Sequence, residues 1–425
     1  MTTQMQDAKC GIITDEMRFC AEQECVSPEV IRNGIANGRI VILKNNKRID
    51  TIPVAVGENL KVKINANINT ANKRTSLDAE LDKLRVINQA GAHVLMDFSS
   101  NKLIDETRQA ILSASKLPVG TMPVVQAGVE ALNKNNDILN LTKEEIFNVI
   151  EKHCSDGADF ICLHCALNQN LLKRFQKQER LSTISSHAAT MLACWMKASG
   201  KENPLYEYFD ELLDLVKPYD VTLLLQSAFK SGSTTDASDG LEVAEAIVLG
   251  ELVTRARELD VQVMIEGIEQ APLNKIPMMV QNIKELSDFA PLYVSGAIAC
   301  DCAVGYDNIS SAIGGALAAY QGADMLKATT SVDRIGFSHP AHIREGIMSA
   351  KIAAHCADLA RGISGAISQN YKISFARKNN DWQKQIENSL DKTVFDGIDL
   401  ATKGNLGYMC ANHSMSLLFD KYFSK

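Results

Sequence analysis

From about residue 61 to about 360, short apolar runs rich in β-branched residues alternate with amphipathic helical stretches. That alternation predicts repeated β-α units around a parallel sheet. The strand candidates centre on Ile64, Leu95, Gly120, Ile161, Ile184, Leu224, Met264, Val294 and Leu326. They are one more than a closed eight-stranded barrel holds, so one of the last two is expected outside it. Helices are predicted over 77–90, 104–114, 142–153, 243–257 and 309–321, where apolar residues recur near every 3.6 positions, as an outer helical ring requires.

The expected fold class is α/β, a (βα)8 TIM-type barrel over residues 61–362. Residues 1–60 read as a small N-terminal region. Thr14-Asp15-Glu16 and Ser27-Pro28-Glu29 signal helix starts there, and Arg39-Ile40-Val41-Ile42-Leu43 reads as a strand. Beyond Gly362 the chain turns polar, with Arg377-Lys378-Asn379-Asn380-Asp381-Trp382, a helix through Leu390 and a Gly-containing end. Residues 363–425 are therefore expected to form a helical C-terminal tail.

Composition narrows the function classes. Of 425 residues 46% are hydrophobic, enough for a substantial core, and the net charge of −7 comes without a long basic run. No nucleic-acid or membrane partner is expected, although a local basic pocket can still hold a phosphorylated ligand. The first residues lack a charged-then-apolar export signal and no apolar run reaches about 18 residues, so a cytoplasmic protein is expected. In that reducing setting the 11 cysteines are free thiols or metal ligands. Cys162-Leu163-His164-Cys165, Cys300-Asp301-Cys302, Cys154 and Cys194 give a weak metal signal, and ordinary buried thiols are the favoured reading.

In such a barrel, function sits where the strands end. The ends offer Asn65 and Asn67, Met96-Asp97, Gly120-Thr121, His164, Ser186-His187, Gln226-Ser227 with Lys230, Glu266, and Tyr293. Converging at one mouth, they would suit a polyhydroxylated, phosphorylated heterocycle, with Lys230 on phosphate and Glu266 on a ring amine. The competing reading for each residue is a cap on a strand end or a helix N-terminus.

Five segments then carry a family resemblance: Ile31-Arg32-Asn33-Gly34-Ile35-Ala36-Asn37-Gly38-Arg39-Ile40-Val41-Ile42, Lys63-Ile64-Asn65-Ala66-Asn67-Ile68, Val119-Gly120-Thr121-Met122-Pro123-Val124-Val125-Gln126-Ala127, Gly200-Lys201-Glu202-Asn203-Pro204-Leu205-Tyr206, and Gly305-Tyr306-Asp307-Asn308-Ile309 with Ala312-Ile313-Gly314-Gly315-Ala316. In this order they resemble phosphomethylpyrimidine synthase, the ThiC family of thiamine biosynthesis, and its hydroxybenzimidazole synthase relatives. The resemblance implies a dimeric (βα)8 barrel that binds aminoimidazole ribotide. It also implies a 4Fe-4S cluster that cleaves S-adenosylmethionine for a radical carbon–carbon lyase reaction, and a divalent metal held on two histidines. Asn65 or Asn67, Met96, His164, Ser186, Glu266 and Tyr293 stand where the family places substrate contacts.

Other positions depart from the family pattern. Ser186-His187-Ala188-Ala189 replaces Ser-Arg-Gly-Gly, Ser227-Ala228-Phe229-Lys230 replaces Asp-Gly-Leu-Arg, and Val125 replaces a tyrosine. Gln270 and Asn308 stand in place of the two metal-binding histidines, and amide oxygens are poor zinc or iron ligands beside imidazole. In Gly407-Tyr408-Met409-Cys410-Ala411-Asn412-His413-Ser414-Met415 only Cys410 remains as a thiolate, with Gly407 and Ser414 at expected cluster positions. The expectation is a chain without cluster or metal when alone. It would act as a ligand-binding or partner subunit, in a homodimer or in a heterodimer with a complete paralogue. An active synthase using altered ligands or a cluster-bearing paralogue is the alternative, and an assembly role with a plugged mouth is the third.

Overall fold

Ten strands build two sheets in the computed structural model, which describes residues 2–69, 76–100, 103–135, 137–336, 338–379, 381–396 and 421–423. The first two, β1 (Ile40–Leu43) and β2 (Val54–Gly57), form an antiparallel pair in the register Ile40 to Gly57 through Leu43 to Val54. The remaining eight are β3 (Lys63–Ile68), β4 (Val94–Asp97), β5 (Val119–Thr121), β6 (Phe160–Leu163), β7 (Thr222–Gln226), β8 (Val263–Gly267), β9 (Leu292–Val294) and β10 (Met325–Lys327). They close into a parallel barrel in sequence order, with β10 pairing back onto β3 through Met325 to Lys63, Leu326 to Ile64 and Lys327 to Asn65. The fold is thus the (βα)8 TIM-type α/β barrel that the alternating pattern predicts.

One strand expectation fails. Both Val294 and Leu326 lie in the barrel, and the supernumerary candidate is Ile184, which sits in the loop before the helix His187–Ser199. That loop is held by side chains rather than by a ladder: Leu181 N and Ser182 N donate to Asp236 at 3.0 and 2.7 Å. The β-branched pair Thr183-Ile184 follows directly on this side-chain-held segment and has no strand beside it to pair with among the described residues.

The helical ring follows the apolar spacing. Helices Leu77–Ala90, Ile104–Ala114, Lys143–Asp156, Gly240–Glu258 and Asp307–Tyr320 occupy the predicted stretches within a few residues. Their starts show the capping chemistry of the sequence. Ser76, Thr142 and Asp239 accept backbone N–H groups of the first turn, and Thr142 and Glu145 complete a reciprocal capping box.

The β1–β2 ribbon closes one end of the barrel. Its alternation is the reason: Val41, Leu43 and Val56 face the main core, while Ile40, Ile42 and Ala55 pack with Met5, Met17, Ile31 and Ile35 of the N-terminal helices. Gln262, just before β8, brackets Ile42 by accepting from its N–H at 2.7 Å and donating to its carbonyl at 3.2 Å. Asn45 donates to the carbonyls of Cys154 and Ala158 at 2.7 and 2.8 Å, and Asp159 accepts from Asn45 N and Val119 N. These groups precede the strands, so the ribbon covers the N-terminal end and the carboxyl ends are left for a site.

Inside the barrel, Gly120 makes room for a large neighbour. A Cβ there would lie 2.2 Å from the Phe160 ring, which is fully buried. A second compact unit spans Gly362–Lys425, and the first spans Met1–Arg361. Within the second, helices Ser364–Lys378 and Trp382–Asn388 pack on each other, and Gln369 donates to the carbonyl of Asn388 at 2.9 Å. Cys410, Gly407 and Ser414 lie outside the described residues. Among the described residues, no helix is long and apolar enough to cross a membrane.

Candidate functional site

The carboxyl ends of β3, β6, β7, β8 and β9 gather most of the sequence-predicted residues into one buried polar network. Asn65 on β3 is fully buried and donates from Nδ2 to the Tyr293 hydroxyl at 2.8 Å and to Asn67 Oδ1 at 2.9 Å. Its Oδ1 is buried without a hydrogen-bond partner, an acceptor left for something else. Tyr293 is 2% exposed, and its phenol is held well above the usual range by burial first and by the Glu266 charge second. It therefore remains an O–H donor.

Glu266 and Lys230 meet directly. Lys230 Nζ lies 2.5 Å from Glu266 Oε1 and donates also to Ser295 Oγ at 3.0 Å, with Glu269 at 4.0 Å. Gln226 Nε2 donates to the same Glu266 oxygen at 2.9 Å, and the Cys162 thiol reaches Glu266 Oε2 at 3.6 Å and Gln226 Oε1 at 3.1 Å. Burial alone would raise the Glu266 carboxyl, but the adjacent ammonium outweighs it and holds the group below its usual value. Lys230 is the mirror case: burial would lower it, and Glu266 raises it. The pair is ionised, buried and internally neutral.

The loop that turns Lys230 inward is anchored from outside. Glu245, fully buried on helix Gly240–Glu258, accepts from Ser227 Oγ, from Ala228 N at 2.7 Å and from Phe229 N at 3.0 Å. Its carboxyl is raised by burial against these hydrogen bonds. The sequence reading does not single out Glu245; its one signal is an acid on the inward face of an apolar helix.

His164 follows β6 and is buried. Its Nδ1 sits 3.0 Å from the carbonyl of Gln226, which only accepts, so Nδ1 carries the proton and Nε2 receives the Ser186 hydroxyl at 2.7 Å. Burial, aided by the Lys230 charge, pushes its pKa down to about 4. Ser186 also caps helix His187–Ser199 through Ala189 N at 3.4 Å. Helix cap and contact to His164 thus coincide in one side chain.

Met96 is fully buried on β4 opposite Asn67, and Asp97 beside it is pushed up to about 6 by burial. Lys327, at the end of β10 beside Asn65, donates to Asp333 at 2.7 Å. Cys162, Ser295 and Lys327 are site neighbours that the census of strand ends does not include. Cys162 is legible as the first residue of Cys162-Leu163-His164-Cys165 and as the residue two before His164, on the same side of the strand.

At the two positions where the resemblance leads one to expect metal-binding histidines, the side chains are carboxamides. Asn308 Nδ2 donates to Ser349 Oγ at 3.1 Å, and Gln270 is tied through its backbone to Ser231 by bonds of 3.1 and 2.6 Å. Among the described residues, no three His, Cys, Asp or Glu side chains gather as a metal centre would require. Carboxamides at Gln270 and Asn308 do not fit a two-imidazole site. Cys162 and Cys165 are both buried with their thiols raised by burial, while Cys300 and Cys302 are exposed.

Comparison with known proteins places the chain. The profile of the "Radical SAM ThiC family" matches residues 3–416. Among curated proteins, a phosphomethylpyrimidine synthase of Desulforamulus reducens is 44% identical over 389 residues, covering 92% of this chain and 90% of the relative. One from Dehalococcoides mccartyi is 42% identical over 424 residues, covering 99% and 98%. One from Carboxydothermus hydrogenoformans is 44% identical over 385 residues, covering 91% and 90%.

Proposed function

The chain belongs to the radical SAM ThiC family, and from that premise we propose that it serves thiamine-pyrimidine or benzimidazole biosynthesis as a ligand-binding subunit whose barrel mouth takes a small phosphorylated heterocycle of the aminoimidazole ribotide type. The observation that carries this reading is the buried polar network with capacity left over. Asn65 Oδ1 lacks a donor and Tyr293 keeps its phenolic proton, so a heterocycle offering an N–H and an acceptor would complete both.

Site roles follow from position. Asn65, Asn67 and Tyr293 would hold the ring, while Met96 would pack beneath it. His164 with Ser186 would contribute a neutral imidazole fixed in one tautomer. Lys230 and Glu266 would meet the charged parts. With carboxamides at Gln270 and Asn308 and a single thiolate at Cys410, radical generation would depend on a complete relative.

A second ThiC-family chain, identical or paralogous, is the partner we propose, and a cytoplasmic setting suits both. The exposed face of helix Asp307–Tyr320 supports a protein partner: Ile309, Ile313 and Tyr320 are each about half exposed, and the helix's one charged residue, Asp307, is buried under Arg334. An uncharged face of this kind loses no charge solvation when covered.

A catalytically complete synthase is the second reading, favoured by 44% identity to a phosphomethylpyrimidine synthase over 92% of the chain. Anaerobic reconstitution with iron and sulfide, followed by a deoxyadenosine assay with S-adenosylmethionine, separates the two. The subunit reading expects no deoxyadenosine from the chain alone and calorimetric binding of aminoimidazole ribotide. Turnover by the chain alone establishes the second reading, and absence of any ribotide binding removes the first.

A further inference from the structure

We propose, resting on the ligand-binding reading above, that Lys230 is this chain's own occupant of the amine place at Glu266, so that the mouth admits a ligand only if it brings both a donor for Glu266 and an anion for the displaced Lys230. Sequence reasoning assigns the two residues to opposite ends of a ligand. Their side chains instead take each other.

The Oε1 side of the carboxylate is fully engaged, and Oε2 has only a long thiol contact. Oε1 receives Lys230 Nζ at 2.5 Å and Gln226 Nε2 at 2.9 Å, and Oε2 faces the Cys162 thiol at 3.6 Å, with Glu266 only 3% exposed. At Oε1 an entering amine must therefore replace Lys230 rather than add beside it. Exchanging one N–H donor for another gains little by itself, and it moves a buried ammonium off a carboxylate at 2.5 Å, leaving it only the longer pairing with Glu269 at 4.0 Å. A ligand with an amine alone binds weakly on those grounds. A ligand that also presents an anion neutralises the released lysine and completes the exchange.

Lys230 has the means to move. Its stem is a flexible four-carbon chain, unlike a planar guanidinium fork. Glu269 stands 4.0 Å from its nitrogen, and the residue borders a cavity of about 40 Å³ that Glu242 and Ser238 share. Asn65 Oδ1 remains free of this exchange and can accept from the ligand whichever way Lys230 lies. The arrangement is a test for two charges at once, built from one ion pair.

Calorimetry with an aminoimidazole ribonucleoside and with its 5′-phosphate, on the whole chain and on Lys230→Met, reads the exchange directly. The expected result is that Lys230→Met binds the phosphate-free nucleoside at least about tenfold tighter than the unmodified protein does, and that the advantage of the phosphate ester shrinks. Unchanged or weaker nucleoside binding by Lys230→Met overturns the proposal, because a lysine that simply held phosphate would leave the nucleoside unaffected. A ligand-free readout covers the case in which Lys230→Met does not fold: reductive methylation of Lys230 followed by mass spectrometry. Lys230 should resist modification relative to the exposed Lys201 and become reactive in Glu266→Gln. Reaction as fast as Lys201 in the unmodified protein, or equal protection in Glu266→Gln, overturns the proposal. If neither compound binds any form, the ligand-binding reading fails, and the methylation result still decides the ion pair.

Discussion

Asn65 donates to the Tyr293 hydroxyl at 2.8 Å across the intervening strand β10, joining the first strand of the barrel to the seventh. Because Asn65 Nδ2 also donates to Asn67, loss of the phenol removes one bond of a pair rather than stranding the amide. Tyr293→Phe should cost about 1 kcal/mol of stability, the ordinary worth of one buried hydrogen bond. Asn65→Leu should cost more, since it strands Asn67 Oδ1 and the phenol together. Urea unfolding of both variants checks the order; a costlier Tyr293→Phe would mean that the phenol has a partner beyond Asn65.

His164 gives the mouth a pH dependence of known sign. Its folded-state pKa is near 4 against an ordinary 6.5, so between those values the unfolded chain binds more protons than the folded one. Its contribution to stability is therefore complete above about pH 6.5 and is lost as the pH falls toward 4. Between pH 7 and pH 5 the loss attributable to this one group should be about 2 kcal/mol. His164→Gln, which does not titrate, should be less stable than the unmodified protein at pH 7, with the gap narrowing by that amount at pH 5. A gap that stays constant would show that His164 is not kept neutral by burial.

These two relationships also show what the sequence makes legible. The barrel follows from periodicity because each parallel strand is buried on both faces and each helix on one, and those constraints leave apolar spacing behind. Six of the nine strand centres lie inside barrel strands on that signal without dispute, and two more, Val294 and Leu326, are settled by closure, which includes both. Ile184 misleads because β-branched composition speaks for a strand only when the backbone has a neighbour to pair with, and here Asp236 takes the N–H groups of Leu181 and Ser182 just before it. The strand-end census finds Asn65, His164, Glu266 and Tyr293 because a packed core has no use for them. The pairing of Lys230 with Glu266 is invisible to it, since residue types do not say which of several converging charges lies within 2.5 Å of another. Glu245 is missed for a similar reason: its partners are backbone N–H groups, which every residue carries.

Outside the barrel, Arg108 organises a second buried network that the sequence does not announce. Only 1% exposed, it donates to Asp156 through Nε at 3.0 Å and Nη2 at 2.5 Å, to Gln126 at 2.6 Å and to Asp105 at 2.7 Å, and lies 2.9 Å from His153 Nε2. His153 is pushed well below its ordinary value by burial and by this guanidinium, and its Nδ1 lies 2.8 Å from Thr121 Oγ1 at the end of β5. Arg108→Met should cost about 3 kcal/mol or more, as loss of one partner from a buried ionic network does. Arg108→Lys should recover only part of this, because a single ammonium cannot reproduce the fork that spans four side chains. Thermal unfolding of the pair decides it, and full recovery by lysine would show that charge alone, not geometry, holds these helices.

The last constraint on the mouth is steric. Gly314, on the inner face of helix Asp307–Tyr320, lies so close to the segment after β9 that a Cβ would stand 1.9 Å from the carbonyl oxygen of Ala297. Backbone on both sides leaves nothing flexible to yield, so Gly314→Ala must push the helix away from the loop that carries Ser295, the second acceptor of Lys230. Overpacking of this kind typically costs about 1–3 kcal/mol. The neighbouring Gly315 is the internal control: its added Cβ would meet only the Leu326 side chain at 3.3 Å, which can shift by a few tenths of an ångström. Gly315→Ala should therefore be nearly neutral, helped slightly by the better helix propensity of alanine. Urea midpoints for the two variants should differ clearly, with Gly314→Ala also raising the reactivity of Lys230 toward reductive methylation as Ser295 moves off. Equal midpoints would mean that the helix and the loop are free to separate without cost, and that the position of Ser295 does not depend on this contact.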